Sequence, residues 1–216
     1  MTWAQFAAAW SALHGGFDPR RASPLVRAWV KLAYRGGSLL ARLGIGPAAV
    51  TGIGLLLCAA VPAVVPLGPV GPPLGGLLVL LASYADALDG AVAVVSGKVT
   101  KLGFVLDSVA DRLGELAWLA AFWLAGAPGW LVVAAGAVSW LHEYVRARAT
   151  AAGLRGIGVV TVGERPTRVI VAVAGLVVGP LLTVAAGAWL VLGVAGLVQL
   201  AVAVRRGLSA PEPGDP

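Results

Sequence analysis

The sequence predicts an all-α integral membrane protein. Six transmembrane helices follow an interfacial amphipathic helix, and both termini are cytoplasmic. Three observations predict this. The 216 residues are 59% hydrophobic and 12% charged, with a mean hydropathy of +0.89, whereas a soluble domain carries about 25% charged residues. Apolar runs recur at close to the ~20 residues that a bilayer crossing needs. The basic residues can all be placed on one side of those runs.

The spans are expected at residues 45–66, 74–95, 102–126, 128–147, 167–184 and 185–204. The last two form one almost continuous apolar stretch, and Gly179-Pro180 begins the break between them. Arg20, Arg21, Arg27, Lys31, Arg35 and Arg42 precede the first span, and Lys98 and Lys101 separate the second from the third. Arg112 is near the start of the third, and Arg146, Arg148, Arg155, Arg165 and Arg168 surround the connection from the fourth to the fifth. Arg205 and Arg206 follow the sixth, and the connections PLGPVGPP, GAPG and VVGPLL carry no basic residue. An even number of spans puts every Lys and Arg inside, as the positive-inside rule requires.

Three regions follow. Residues 1–44 form an N-terminal arm, 45–206 the membrane domain, and 207–216 a disordered tail. Within the arm, SPLVRAWVKLAYRGGSLLARLG interleaves basic and apolar residues, the pattern of a helix lying on anionic lipid. The start MTWAQFAAAWSALHGGFDPRR lacks the early basic region of a signal peptide. One Cys, Cys58, excludes a disulfide framework and reads as a buried inert thiol. Nothing points to a nucleic-acid partner.

The chemistry is concentrated in DALDGAVAVVSGKVTKLGFVLDSVADRLGE. Asp86 and Asp89 are three residues apart, Asp107 and Asp111 four, so each pair lies on one helix face. Carboxylates near hydrocarbon cost at least about 2.5–3.5 kcal/mol each and need positive charge. Two acidic faces joined by a short turn make an oxygen-lined pocket for hard divalent cations, Mg²⁺ or Mn²⁺, one or two ions. A cation channel also places acids in the membrane, but all four gather at one membrane face rather than along a pore. A catalytically silent scaffold is the remaining alternative.

The stretch resembles the signature of the CDP-alcohol phosphotransferase family, D-x2-D-G-x2-A-R-x8-G-x3-D-x3-D. Asp86, Asp89, Gly90, Ala93, Gly103, Asp107 and Asp111 match, and Val94 stands where the family has Arg. The resemblance implies a six-helix membrane enzyme, a homodimer, that moves a phosphatidyl group from CDP-diacylglycerol to a polar alcohol and releases CMP at a cytoplasm-facing site. It implies that Asp86, Asp89 and Asp107 ligate metal. Asp111 would complete the metal site and take the proton of the attacking hydroxyl. Gly90, Ala93 and Gly103 would shape the CDP site, with Lys98 or Lys101 standing in for the missing arginine. The Gly-, Ala- and Arg-rich composition suits a GC-rich bacterial genome, and so the inner membrane.

A narrower resemblance, to the phosphatidylinositol-phosphate synthase branch, lies in EYVRARATAAGLRGIGVVTVGERPTRVI. Tyr144, Arg146, Ala147, Arg148 and Ala149 match there, followed by Glu164, Arg165 and Arg168. It implies inositol 1-phosphate as acceptor, its phosphate held by Arg146, Arg165, Arg168 and Arg112 through planar guanidinium forks. Thr167 replaces an acid common in that branch, and His142-Glu143 replaces a more neutral pair. Glycerol 3-phosphate or another polar alcohol is the alternative acceptor. Smaller expectations are that His142 is a satisfied buried histidine, that Glu143 pairs with Arg146 and that Glu115 orients Arg112. The turn from Gly46-Pro47 into Thr51 is expected to be structural.

Overall fold

The computed structural model describes residues 1–154 and 161–209. Among them are eight α-helices and no strand: α1 Trp3–Leu13, α2 Pro24–Arg42, α3 Pro47–Val64, α4 Gly71–Ser96, α5 Lys101–Leu124, α6 Gly129–Ala151, α7 Arg165–Val177 and α8 Leu182–Leu208. Short 3₁₀ turns at Gly68–Val70 and Gly179–Leu181 precede α4 and α8. Arg155 and most of the tail expected to be disordered, residues 210–216, lie outside the described residues.

The helix ends follow local chemistry. Pro occupies the first turn of α2, α3 and α7, where its missing N–H leaves no bond unmade. Gly97 ends α4 in the left-handed conformation at φ 67°, which a residue without a Cβ adopts freely. Thr100 then caps α5, its hydroxyl accepting from the Gly103 N–H at 3.0 Å. Four residues therefore reverse the chain between Asp89 and Asp107.

The largest departures from the expected boundaries are around the last two spans. The break begins at Val178 and α8 starts at Leu182, not 185, and runs to Leu208. The 3₁₀ turn at Gly179-Pro180 uses residues that the apolar pattern alone assigns to a helix. Among the described residues, three helices are long and apolar enough to cross a membrane: α3, α4 with its preceding turn, and α8 with its preceding turn. The other expected spans carry more charge or are shorter. Asp107, Asp111, Arg112 and Glu115 sit on α5, and Glu143, Arg146 and Arg148 on α6. α7 has 13 residues, or about 20 Å at 1.5 Å per residue.

α3 packs along both α4 and α5, α4 also meets α7, and α8 closes the bundle against α6 and α7. The main core joins Cys58 and Val61 of α3, Trp118 and Phe122 of α5, Leu176 of α7 and Trp189 of α8. Small residues set the close approaches, as expected where lipid is as apolar as the helices. A Cβ on Gly114 would lie 2.8 Å from the Cys58 sulfur, so α3 and α5 touch backbone to side chain there. The buried Trp189 indole donates to Ser139 Oγ at 2.9 Å, tying α8 to α6.

The N-terminal arm is ordered as two helices. Val30, Ala33 and Gly37 form the buried stripe of α2, and a Cβ on Gly37 would meet that of Ala91 on α4 at 2.8 Å. α1 lies over the same end of α4, where Phe6, Trp10, Val30, Ala33, Ala91 and Val94 form a second apolar cluster. Val94 is therefore buried under α1, and the position where the family signature has a cation is a docking point for the arm.

Candidate metal and active site

The fold brings one end of five helices together: the start of α3, the end of α4, the start of α5, the end of α6 and the start of α7. On the acidic side, Asp86, Asp89 and Asp107 each present an oxygen, and these oxygens lie within 4.8 Å of one another. Helix periodicity places Asp86 and Asp89 on one face of α4, and the tight Gly97–Thr100 turn returns α5 so that Asp107 meets them. Thr51 Oγ1 donates to Asp89 Oδ2 at 2.7 Å. Three hard oxygen donors with this convergence suit a divalent cation of the Mg²⁺ or Mn²⁺ kind.

Asp111 stands one turn further along α5. It is engaged by Arg165, which also pairs with Asp86. Arg165 thus sits inside the acidic site, with its guanidinium carbon 5.9 Å from the centre of the Trp118 ring. Thr51, Cys58, Asp86, Asp89, Asp107, Asp111 and Arg165 line one narrow cleft. Cys58 is buried, as expected of an inert thiol.

The remaining arginines are held by carboxylates. Arg168, 3% exposed, donates from Nη1 to both oxygens of Glu115 at 2.9 and 3.0 Å. Arg112 Nη1 reaches the same Glu115 at 3.0 Å and approaches Glu143 at 3.7 Å. Arg146 pairs with Glu164 and lies 4.0 Å from Glu143. Glu164 also accepts from the Thr161 N–H and hydroxyl, both at 3.1 Å. His142 is fully buried, with Nε2 3.0 Å from Thr161 Oγ1. The four acceptor arginines expected from the sequence therefore converge, but each is already in an ion pair, and Glu115 and Glu143 cross-link α5, α6 and α7.

The expected donor residues are placed less uniformly. Gly90 is covered by Trp10 of α1, whose ring atoms lie 3.5 and 3.6 Å from where a Cβ would stand. Gly103 packs on its own cap, Thr100. Ala93 is half-buried, and Lys98 and Lys101 are exposed with no ion pair among the described residues. Thr51, expected to be structural, contacts an acid of the cluster. A lone hydroxyl in an apolar span needs a polar partner, and that is the signal that identifies it.

A carboxylate triad suited to a divalent cation, faced by guanidiniums in a membrane-helix bundle, is the equipment of an enzyme that handles phosphate groups. The chain belongs to the CDP-alcohol phosphatidyltransferase family, whose model matches residues 45–204; it is a transferase of phospholipid biosynthesis. It is 37% identical over 207 residues to the phosphatidylinositol phosphate synthase of Mycolicibacterium smegmatis, covering 88% of this chain and 90% of that protein. It is 36% identical over 136 residues to the archaetidylinositol phosphate synthase of Pyrococcus horikoshii, covering 62% and 71%. The fold matches the Mycobacterium tuberculosis phosphatidylinositol phosphate synthase in complex with manganese and citrate at TM-score 0.70, with 28% identity over 85% of this chain and 92% of that one. The same enzyme with CDP-DAG bound matches at TM-score 0.67, with 28% identity over 86% and 98%.

Proposed function

We propose that this chain transfers the phosphatidyl group of CDP-diacylglycerol to inositol 1-phosphate and releases CMP. The observation that carries this is the Asp86–Asp89–Asp107 convergence beside a four-arginine cluster, in a chain similar over most of its length to a phosphatidylinositol phosphate synthase. Glycerol 3-phosphate is the second acceptor to test, because any phosphorylated alcohol presents the same dianion to those arginines.

One or two Mg²⁺ or Mn²⁺ ions would be held by Asp86, Asp89 and Asp107, with Asp111 adjoining, and would supply charge neutralisation at the donor pyrophosphate. Gly90, Ala93 and Gly103, with Lys98 and Lys101 at the turn, border the donor. Asp111 takes the proton of the acceptor hydroxyl. The freed oxygen bonds to the phosphatidyl phosphorus, and the bond from that phosphorus to the CMP oxygen breaks. Arg165, in contact with Asp86 and Asp111, orients both carboxylates. Arg112, Arg146 and Arg168 face the acceptor phosphate.

The same reading places α3 to α8 as six spans of a bacterial inner membrane, with the site and both termini at the cytoplasmic face. α2 lies on the leaflet. Its Leu25, Leu32 and Leu39 are exposed and fall on one side at helical spacing, with Arg27, Lys31, Arg35 and Arg42 interleaved to meet anionic lipid. The apolar groove between α5 and α6, bordered by the exposed Trp123 and Trp140, is the face on which a homodimer would form.

The test is CMP release by purified protein with CDP-diacylglycerol and Mg²⁺, run against inositol 1-phosphate, glycerol 3-phosphate, inositol and serine. Stimulation by inositol 1-phosphate alone is expected; stimulation by inositol but not its phosphate refutes the acceptor. For topology, a single cysteine at Lys98 in a Cys58→Ser background should label from the cytoplasm. One at Pro72 should label only from outside, and the reverse refutes six spans.

A further inference from the structure

The two glutamates that cross-link the arginines are held very differently. Glu115 is 1% exposed and takes three guanidinium bonds of 2.9–3.0 Å from Arg112 and Arg168. Glu143 is 29% exposed, and its contacts are long: 3.3 Å from Arg168, 3.7 Å from Arg112, 4.0 Å from Arg146 and 3.4 Å from the His142 ring. Charge-assisted N–H···O bonds settle at about 2.7–2.9 Å. Glu143 therefore sits in the field of three arginines without closing a good bond to any. The Nε–H groups of Arg146 and Arg168 are buried and have no hydrogen-bond partner among the described residues. Donors left unmade at a convergence of cations can bond to a better anion.

We propose that Glu143 is an internal occupant of the acceptor's anion subsite, a carboxylate that a bound phosphate must displace. This rests on the proposed function, in which Arg112, Arg146 and Arg168 hold an acceptor phosphate. A phosphate dianion brings three terminal oxygens and about twice the charge of a carboxylate. It can span three guanidiniums that one carboxylate reaches only at long range. Glu143 can leave because it is partly exposed and weakly bonded; Glu115 cannot, because it is enclosed and fully bonded. The carboxylate adds to the neutralisation that Glu115 and Glu164 give the arginines between turnovers. It also lowers apparent acceptor affinity, because only the fraction of molecules with Glu143 swung away can bind. Glu143 thus sets how much phosphorylated acceptor the enzyme requires and excludes weaker monoanions.

The test uses Glu143→Gln and Glu143→Ser, with inorganic sulfate as a dianion probe that needs neither donor nor metal. Saturable sulfate binding to the purified protein, followed calorimetrically against chloride at equal ionic strength, should tighten about tenfold in both variants, or about 1.4 kcal/mol. The KM for inositol 1-phosphate should fall with it, while the KM for CDP-diacylglycerol stays within about twofold. Unchanged or weaker sulfate binding in both variants overturns the proposal. Tighter sulfate binding with no phosphorylated alcohol stimulating CMP release leaves the anion subsite standing and refutes the acceptor. Should neither variant fold, carbodiimide labelling of the wild-type protein decides: sulfate should increase labelling of Glu143, and equal labelling with and without sulfate overturns the displacement.

Discussion

The two sides of the site carry charge in opposite ways. On α4 and α5, Asp86, Asp89 and Asp107 converge on one another, with one hydroxyl and part of one arginine among them. On α6 and α7, Arg146 and Arg168 already have their carboxylates, in a lattice that runs from Glu115 through Arg168 and Glu143 to Arg146 and Glu164. The first side is incomplete as protein and needs a cation. The second is nearly complete as protein, and a ligand must compete with it. Loss of charge on the first side should therefore abolish chemistry with the fold intact. On the second side it should damage folding or binding, according to how deeply the pair is enclosed.

The largest effect should come from Asp107→Asn. Removing one oxygen donor from the triad should lower CMP release at least ~10²–10³-fold. Helical circular dichroism and elution as a single species should be preserved, because Asp107 has no ion pair among the described residues. Turnover within tenfold of wild type would put the metal site elsewhere.

Arg168→Ala should come next, and mainly as instability. It leaves Glu115 as an enclosed charge with only Arg112, and breaking such a pair costs about 3–5 kcal/mol. Thermal unfolding in detergent should show a large drop. The joint change Arg168→Met with Glu115→Leu should recover most of the stability and none of the activity. A stable Arg168→Ala protein with only a raised acceptor KM would leave Arg168 its contact with the acceptor and remove its bracing role.

Arg146→Ala should be milder and more specific. Arg146 is 27% exposed and its partners are partly exposed, so the fold should survive. The acceptor KM should rise by about ten- to a hundredfold, the worth of one charge-assisted contact of ~1.5–3 kcal/mol. The donor KM should change little, and Arg146→Lys should restore part of the loss. Equal acceptor KM in wild type and variant would leave Arg146 as an orientation signal.

The acidic side was legible in the sequence because its information is local. Spacings of three and four on helices, and a four-residue turn, determine which carboxylates meet. The arginine side was only half legible. The matching positions Arg146, Arg165 and Arg168 could be named, but their partners are 18, 79 and 53 residues away in Glu164, Asp86 and Glu115, and no periodicity connects them. Thr51 shows no role from local sequence for the same reason: Asp89, its partner, is 38 residues away. The break before α8 was visible in Gly179-Pro180, yet the 3₁₀ turn that absorbs those residues moved the helix start. By its place in the signature, Val94 is a missing cation. In the fold it is an apolar contact for α1, which no spacing within α4 could reveal.

That arm supplies the smallest expected effect, one at the border of the acidic side. α1 rests on α4 through Phe6 and Trp10, and Trp10 covers Gly90. His14 ends α1 with its ring stacked on Trp10, centroids 4.0 Å apart, and its Nδ1 2.8 Å from the Trp10 carbonyl oxygen. His14 is exposed at its outer edge, and partial desolvation of the ring face stacked on Trp10 holds the imidazole below its ordinary value of 6.5, with the Trp10 carbonyl bond and Asp86 acting in the opposite direction. The docked arm therefore binds the proton less well than a released one. Docking should be firm above the ordinary imidazole range and should weaken as the pH falls through it, since the released state gains the proton first. Amide hydrogen exchange across residues 3–13, corrected for its intrinsic pH dependence, should rise modestly between pH 8 and pH 5.5, with the interior of α8 unchanged. His14→Gln should remove the pH dependence and leave α1 docked, because the apolar contacts of Phe6 and Trp10 remain. Exchange that does not change with pH in wild type, or that still changes in His14→Gln, would separate His14 from the docking and leave Trp10 as the anchor of the arm over the acidic side.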